Sequence, residues 1–219
     1  MIGADLPFRR DFVRVNTRVA RPAIVPELAL HLADPATPIW ALSEDELKSL
    51  GLPPPYWCYA WAGGQALARY LLDHPQEVAG RRAIDFATGS GVVAIAAVKA
   101  GAADVLASDI DPFCEAALGL NAEINAVSLA YTSGDLLAGP SPAADLILAG
   151  DVWYRGELAQ DVMAWLKAAR AAGARVLLGD PGRIHFPKDG VVQLAEYAVP
   201  TIGALEGADV MRAVVWELA

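Results

Sequence analysis

The chain has 219 residues, 55% of them hydrophobic, so it is long enough for one sizeable core but short for two full domains. Its formal net charge of −9 argues against a general nucleic-acid binder, because affinity for phosphates requires clustered Lys and Arg. No apolar run approaches the roughly 18 residues of a membrane span, so we expect a soluble protein without membrane association. We expect one structural domain, made of an N-terminal extension with the first helices (1–78) and a core (79–219).

The two cysteines and the N-terminus bear on the compartment. Cys58 and Cys114 lack a Cys or His neighbour at ligand spacing, so neither a disulfide nor a metal site is expected. The start, MIGADLPFRRDF, has no apolar segment followed by a cleavage site, which argues against a secretory signal. We therefore expect a bacterial-type protein in a reducing, cytoplasmic location. We also expect it to be a monomer.

Basic residues and prolines dominate the segment from residue 5 to 38. Its five arginines favour either an ordinary solvated segment or a cover that contacts substrate, and the sequence leaves both open. Pro22, Pro26, Pro35 and Pro38 predict that no long helix spans the segment. Further on, Ser43 precedes Glu46 by three residues, a capping-box spacing that predicts a short helix ending at Gly51.

An aromatic cluster follows three consecutive prolines and leads into a helix that closes before Pro75. Aromatic rings just before a helix are usually core. Trp61 is the candidate ligand-lining ring, because it lies beside Gly63 and Gly64, where the backbone can be approached closely. The cluster consists of Tyr56, Trp57, Tyr59 and Trp61.

From Arg81 onward, apolar strands alternate with helices. The pattern predicts strands at 82–86, 104–109, 128–133, 144–149 and 174–179, and helices at 91–100, 112–125 and 157–171. Such alternation is typical of a parallel sheet covered on both faces. Two β-rich runs at the end, 191–199 and 210–218, suggest an antiparallel pair at one edge. The prediction is an α/β fold: a Rossmann-like, doubly wound, mostly parallel seven-stranded sheet.

The first of these strands runs straight into a glycine turn, Thr88-Gly89-Ser90-Gly91. Glycines permit positive φ and let the backbone approach a ligand, and the following helix presents free N–H groups there. Asp85 beside the turn would repel a pyrophosphate but suits a cationic amino group or a ribose hydroxyl. The stretch therefore indicates a nucleoside that carries an amino acid rather than a phosphate chain.

Ligands of open α/β sheets lie outside the carboxyl ends of the strands, where this chain repeatedly places aspartates. Asp109 follows the second strand and can take both hydroxyls of a ribose. Asp111, just before Pro112, is the better candidate for a helix cap. Asp135 could accept from an adenine amino group or could simply be a turn residue. Asp151 and Asp180 follow the next two strands.

The segment Gly150-Asp151-Val152-Trp153-Tyr154 is the second informative stretch. Asp151 and Tyr154 lie three apart beyond a hydrophobic strand, and Trp153 could lie on a base or sugar. Alone, the pattern fits a capped turn with a buried ring equally well. His31, His74 and His185 are scattered without a partner pattern, which favours structural or exposed roles.

These residues together resemble a class I S-adenosylmethionine-dependent methyltransferase, and more narrowly the seven-β-strand protein-lysine methyltransferases with a D-x-x-Y motif. Asp85 to Gly91 resembles the acid-x-G-x-G-x-G loop, with Ala87 where the first glycine is usual, which narrows the space for the methionine portion. Asp151 to Tyr154 matches D-x-x-Y. The electron-transfer-flavoprotein β-subunit lysine methyltransferase group is the most similar, through Asn16–Arg18, Val25–Glu27, Pro53–Tyr70 and Gly179–Arg183.

The resemblance implies methyl transfer from S-adenosylmethionine to the ε-amine of a lysine on the flavoprotein β-subunit, with S-adenosylhomocysteine as product. It implies that Asp85, Gly89 and Gly91 hold the methionine part of the cofactor. Asp109 would take the ribose, with Asp135 and Trp61 on the adenine side. Ala87, Thr88, Ile110 and Gly150 would complete the cofactor contacts, while Asp151 and Tyr154 would shape the lysine channel.

Three alternatives remain open at this point. A ribosomal-protein or small-molecule amine methyltransferase would share the same motifs. A dinucleotide oxidoreductase also fits G-x-G-x-x-A at residues 89–94, although Asp85 suits a pyrophosphate badly and no Tyr-x-x-x-Lys pair follows. A binding protein without catalysis could keep the same fold, because fold alone does not fix function.

Overall fold

A computed structural model describes residues 5–219, apart from the side chains of Glu44 and Leu205. Residues 1–4, the start of the predicted extension, lie outside them. The helices are α1 (Leu6–Asn16), α2 (Glu44–Ser49), α3 (Ala62–Asp73), α4 (Val92–Lys99), α5 (Pro112–Asn125), α6 (Gly156–Ala171) and α7 (Gly203–Glu206). The strands are β1 (Arg18–Ala20), β2 (Leu30–Leu32), β3 (Arg82–Phe86), β4 (Asp104–Ser108), β5 (Ala130–Thr132), β6 (Leu146–Gly150), β7 (Arg175–Asp180), β8 (Val191–Pro200) and β9 (Val210–Leu218).

Seven of the strands form one sheet, in the order β5-β4-β3-β6-β7-β9-β8. The first five in this order pair in parallel, and β9 pairs antiparallel with both β7 and β8. The predicted fold class is therefore confirmed, including the antiparallel pair at one edge. The strand order runs in opposite directions from β3 and from β6, so the switch point lies between these two strands, at whose carboxyl ends a ligand is expected.

Helices cover both faces of this sheet. The central strands β3, β6 and β7 are buried along nearly their whole length, as continuous apolar runs in parallel sheets usually are. One core cluster contains residues of α3 and α4 against the sheet, and a second contains residues of α6 against it. Both layers fix the carboxyl ends of the strands at one edge.

The N-terminal segment contains a helix that the sequence analysis did not predict. α1 contains Pro7 in its first turn and ends at Asn16, before Pro22, and the side chain of Asp5 caps it by accepting from the N–H of Phe8. Arg9 donates to the carbonyl of Pro112, and Arg10 forms an ion pair with Glu123 at 2.6 Å. Two of the five arginines that could have contacted a substrate, Arg9 and Arg10, therefore attach α1 to α5 instead.

The segment around β2 is also attached to α5. Asn125 donates to the carbonyl of Ala29 and accepts from its N–H, and Asn121 accepts from the N–H of His31. The predicted capping box is present, since Ser43 and Glu46 bond reciprocally at the start of α2. Among residues 5–219, no helix is long and apolar enough to cross a lipid bilayer.

Candidate active site

The turn after β3 is a tightly bent loop held from beneath by Asp85. Ala87, Gly89 and Gly91 all have positive φ, at 56°, 52° and 80°. The carboxylate of Asp85 accepts from the Thr88 hydroxyl at 2.5 Å and from the N–H of Ala94 in α4 at 3.0 Å. These two bonds tie the end of the strand to the loop and to the first turn of the helix.

Burial determines what Asp85 can do at neutral pH. The residue is only 1% exposed, and this burial raises the pKa of its carboxyl to about 7, against the opposing effect of the bonds from Thr88 and Ala94. Thr88 is likewise buried. The side chains of Asp85 and Thr88 are therefore both turned inward, whereas Ala87 is exposed and Gly89 is partly exposed.

Asp109 lies beside this loop at the end of β4 and is half-buried. Its Oδ2 accepts from the N–H of Gly89 at 2.9 Å, and its Oδ1 accepts from the N–H of Asp111 at 3.0 Å. Because a carboxylate oxygen has two lone pairs, each oxygen keeps the capacity to accept once more. Ile110 next to it is 68% exposed, a large apolar side chain at the rim of the loop.

The predicted helix cap and the predicted turn residue are both found. Asp111 caps α5 by accepting from the N–H of Phe113 at 2.9 Å. Asp135 is exposed and accepts from the N–H of Leu137 at 2.9 Å, which starts a short 3₁₀ turn. The turn-residue alternative for Asp135 is thus observed, while its contact with an adenine stays a prediction.

Asp151 begins the second half of the site, just beyond β6. It is buried and adopts a φ of 56°, which for a residue with a side chain requires support from its surroundings. Its Oδ2 accepts from the N–H of Gly64 at 2.7 Å, and its Oδ1 accepts from Nη2 of Arg183 at 2.7 Å. Burial raises the pKa of Asp151 to about 7, and the charge of Arg183 opposes that rise.

The contact with Gly64 shows that Asp151 caps a helix from a distance. α3 has no cap from its own first residues, and its N-terminus is satisfied by Asp151 at Gly64 and by Glu206 at Ala62, the latter at 2.9 Å. Carboxylates are favoured there by the partial positive charge of the helix terminus. Arg183 binds both of these carboxylates, the one on Glu206 at 3.3 Å.

Glycines allow α3 to approach the strands this closely. A Cβ on Gly63 would lie 2.3 Å from the carbonyl oxygen of Gly179 in β7, so the two backbones are in contact. A Cβ added to Gly150 would likewise lie only 2.9 Å from the Cα of Gly64. Gly150 therefore serves this helix–strand contact, and the cofactor contact implied for it stays a prediction.

Four aromatic rings connect the two halves of the site. The ring of Tyr56 lies 5.2 Å from that of Tyr154 and 5.9 Å from that of Trp61, and the Tyr59 ring lies 5.3 Å from Trp61. The carbonyl of Tyr56 accepts from the indole N–H of Trp61 at 3.0 Å and lies 4.0 Å from the Cβ position of Gly89. Tyr56 thus spans from the glycine loop to Tyr154.

The structure selects one of the two roles left open for Trp153 and adds two charged residues to the site. Trp153 is completely buried and packs against Phe186 at 5.0 Å, so the buried-ring alternative is observed. Arg183 and Glu206 had no assigned role, although Arg183 lies in a segment already noted for its resemblance. The guanidinium of Arg183 also lies over the Trp61 ring, 5.7 Å from its centroid.

Comparisons with known proteins agree on the class of enzyme. Residues 66–163 match the family model for ribosomal protein L11 methyltransferase (PrmA). The chain is 38% identical to the electron transfer flavoprotein beta subunit lysine methyltransferase of Xenopus laevis, over 94% of this chain and 85% of that protein. It is 35% identical to the protein of the same name from Rattus norvegicus, over 99% of this chain and 87% of that protein. Both relatives are animal proteins, so the bacterial-type expectation is not supported.

A solved structure supports the fold. The magnesium protoporphyrin IX methyltransferase of Synechocystis PCC 6803 with bound SAM superposes with a TM-score of 0.51 at 20% identity. The match covers 72% of this chain and 80% of that one. At this level of identity it indicates a common Rossmann-like methyltransferase fold.

Proposed function

Because the chain belongs to the family of electron transfer flavoprotein beta subunit lysine methyltransferases, we propose that it transfers a methyl group from S-adenosylmethionine to lysine on that subunit. The observation that carries this proposal is the continuity of the site. Tyr56 borders the glycine loop on one side and Tyr154 on the other, which supports an acceptor channel next to a nucleoside site.

The residues around the glycine loop fit this cofactor. Neither 85–91 nor 108–112 contains a Lys, Arg or His, so a pyrophosphate would find no counter-charge within these segments. The Asp109 carboxylate is oriented by two backbone N–H groups and can still accept from two vicinal hydroxyls. Apart from its chain neighbours, the only atom of residues 5–219 within 4 Å of the missing Gly89 Cβ is the Tyr56 carbonyl oxygen, so a ligand can approach the backbone there.

We assign the residues to two subsites. Gly89, Asp109 and Ile110 would contact the cofactor, with Asp135 and Trp61 toward its adenine. Asp85 would act from beneath the loop, because it is nearly inaccessible and already bonded to Thr88 and Ala94. The bound cofactor would supply a methyl group on a sulfonium. Asp151 and Tyr154 would line the channel in which the lysine amine is oriented toward it, as a displacement in line requires.

We propose that the protein acts as a monomer, with both subsites assigned within one chain. The net charge of −9 supports a protein partner in preference to a nucleic acid. Cys58 and Cys114 are both buried and free, which supports a reducing compartment such as the cytoplasm. The N-terminal extension and the core would act as one unit, since α1 and the segment around β2 are bonded to α5.

A ribosomal-protein methyltransferase is the second candidate, favoured by the family model over residues 66–163. That stretch contains the glycine loop and Asp109, which any relative with this cofactor would share. The flavoprotein-subunit relatives also match the N-terminal segment and the C-terminal strands, where the acceptor side is completed by Tyr56, Arg183 and Glu206. We therefore favour the flavoprotein subunit.

The test is direct methylation with identified products. The purified flavoprotein β-subunit and ribosomal protein L11 are incubated separately with the protein and labelled S-adenosylmethionine, and labelled peptides are sequenced. We expect label on lysine of the flavoprotein subunit and little on L11. Label on L11 alone would favour the second candidate, and saturable NAD binding without S-adenosylmethionine binding would remove methyl transfer altogether.

A further inference from the structure

Arg183 is held in the acceptor side of the site by its own backbone as well as by its side chain. Asp180, at the end of β7, accepts from the N–H groups of Gly182 and Arg183, both at 2.7 Å. The carbonyl of Arg183 then accepts from the N–H of Phe186, whose ring packs against Trp153. The guanidinium is therefore presented from a fixed turn.

The surroundings of this guanidinium are those expected around a bound lysine ammonium. Asp151 accepts from Nη2 at 2.7 Å and from Nε at 3.2 Å, Glu206 accepts at 3.3 Å, and the Trp61 ring lies against one face. Two carboxylates and an aromatic face form a cation site. An internal cation already occupies that site, so an entering lysine does not meet unpaired negative charge.

This arrangement matters because only the neutral amine can accept a methyl group. A free lysine, with a pKa near 10.4, is almost entirely an ammonium at pH 7. Unpaired carboxylates at the channel would stabilise that ammonium further, whereas a fixed positive charge disfavours a second cation close by. On the proposed function, we propose that Arg183 is a positioning residue that neutralises Asp151 and Glu206 so that the acceptor lysine is bound as the free amine.

The proton and electron balance follows from this role. The lysine ammonium releases its proton to bulk water as the side chain enters the channel. In the transfer, the nitrogen lone pair forms the N–CH₃ bond while the S–CH₃ bond breaks and its electron pair remains on sulfur. The methylated nitrogen gains the positive charge that the sulfonium loses.

Other ionisable groups also lie near the residues assigned to the channel. The groups that shift the pKa values of Arg183 and Asp151 lie just after β6, at the end of β7 and in α7. Those that shift the pKa of Tyr154 lie in the aromatic segment, just after β4, in α5 and just before α6. Together, these groups are Asp151, Asp180, Glu206, Tyr56, Asp109, Cys114 and Arg155. The cation bonded directly to Asp151 is Arg183.

The test measures protons released when the substrate binds. The protein is saturated with S-adenosylhomocysteine, so that no transfer occurs, and is titrated with the flavoprotein β-subunit in buffers of different ionisation enthalpy at pH 7.5. We expect wild-type protein to release close to one proton per lysine bound, and Arg183→Gln to release markedly fewer. Arg183→Lys, which keeps the charge, should resemble wild type.

Rates and a matched control separate this role from a structural one. In single turnovers, the rising limb of the Arg183→Gln pH profile should move up by about one pH unit or more, with the rate at pH 7 reduced about tenfold or more and KM not raised. Arg82→Gln removes an exposed ion pair with Asp145 at the opposite edge of the sheet and should change neither readout. Melting temperatures establish that each variant is folded.

Equal proton release by wild-type and Arg183→Gln protein, or equal loss of rate at every pH, would overturn the proposal. Wild-type protein that binds and methylates the β-subunit without releasing a proton would overturn it as well. Wild-type protein that neither binds nor methylates the β-subunit would contradict the proposed function, and the inference would fall with it.

Discussion

Tyr154 is assigned to the wall of the proposed acceptor channel. Its ring packs edge-on against Tyr56 at 5.2 Å, and 47% of the residue is exposed. We predict that Tyr154→Phe lowers the single-turnover rate by less than about tenfold, because the wall remains, whereas Tyr154→Ala lowers it by about 100-fold through lost orientation. Equal losses in the two variants would assign the chemistry to the hydroxyl instead.

Individual site residues differed in how far the sequence could predict them. Asp109 and Asp111 both lie between a strand and a helix. Their positions predicted that Asp111, next to Pro112, caps the helix and that Asp109 lies at the end of the strand beside the glycine loop. The structure shows both residues in these places. Arg183 and Glu206 meet Asp151 and the start of α3 only through the fold. Neither shows a local pattern, because their partners lie 23 to 144 positions away in the chain.

At the scale of elements, the crossing of α3 over β6 and β7 depends on glycine. A Cβ at Gly63 would overlap the carbonyl oxygen of Gly179, and neither backbone has room to move. We predict that Gly63→Ala lowers the free energy of unfolding by about 3 kcal/mol, as overpacking of a tight contact does. The control is Gly139→Ala, where no atom of the described chain other than those of its neighbours lies within 4 Å of the added Cβ and φ is −156°.

Chemical denaturation of both variants measures this difference. Gly139→Ala should change the free energy of unfolding by about 0.5 kcal/mol or less, as surface substitutions usually do. A Gly63→Ala protein as stable as this control would mean that α3 lies farther from the sheet than the structure shows. It would also weaken the geometry that brings Gly64 to Asp151.

The end of α5 offers a stabilising change. Ala126 follows the helix with a φ of 54°, a left-handed conformation that glycine adopts without the Cβ penalty. We predict that Ala126→Gly raises the free energy of unfolding by about 1 kcal/mol. Ala172 caps α6 with a φ of −79°, so Ala172→Gly should not stabilise and serves as the control. Equal effects of the two changes on thermal unfolding would contradict the assigned conformation.

Most elements of the core could be predicted because their apolar periodicity is strong. Strand β3 and helix α5 have the predicted bounds, and most other core elements differ by one or two residues at an end. Helix α1 was not predicted, because the prolines argue against a long helix in this segment. Asp5 is nevertheless a local signal for the start of this helix, since its side chain caps it. The pair β1 and β2 was missed because three-residue strands carry no measurable period.

At the scale of the whole molecule, buried carboxyl groups tie stability to pH. Burial raises the pKa of Asp85 to about 7 from an ordinary value of 3.8. A raised folded-state pKa means that its contribution to stability is full below about pH 4 and is lost as pH rises through about 7. We predict that Asp85→Asn, which cannot ionise, gains stability relative to wild type by about 1 kcal/mol or more between pH 5 and pH 8.

Urea denaturation of both proteins at the two pH values tests this dependence. The quantity to compare is the difference between the two free energies of unfolding, because other groups titrate equally in both. Asp145, at the opposite edge of the sheet, has a pKa lowered to about 2 by its bonds to Arg82 and leaves this difference unchanged. A difference that does not vary with pH would show that Asp85 is ionised in the folded protein throughout.

The central claim is that two adjacent subsites, one for the cofactor at Asp109 and one for lysine at Asp151, lie along the carboxyl edge of this sheet. The direct test measures S-adenosylmethionine affinity and single-turnover methylation on the same preparations of Asp109→Ala and Asp151→Asn, each checked for folding. Asp109→Ala should weaken cofactor binding roughly tenfold or more, through lost charge-assisted hydrogen bonds. Asp151→Asn should bind the cofactor within about threefold of wild type yet transfer methyl about 100-fold more slowly, because the group that positions the acceptor side is lost. Loss of cofactor binding in Asp151→Asn, or methylation by it at the wild-type rate, would contradict the claim.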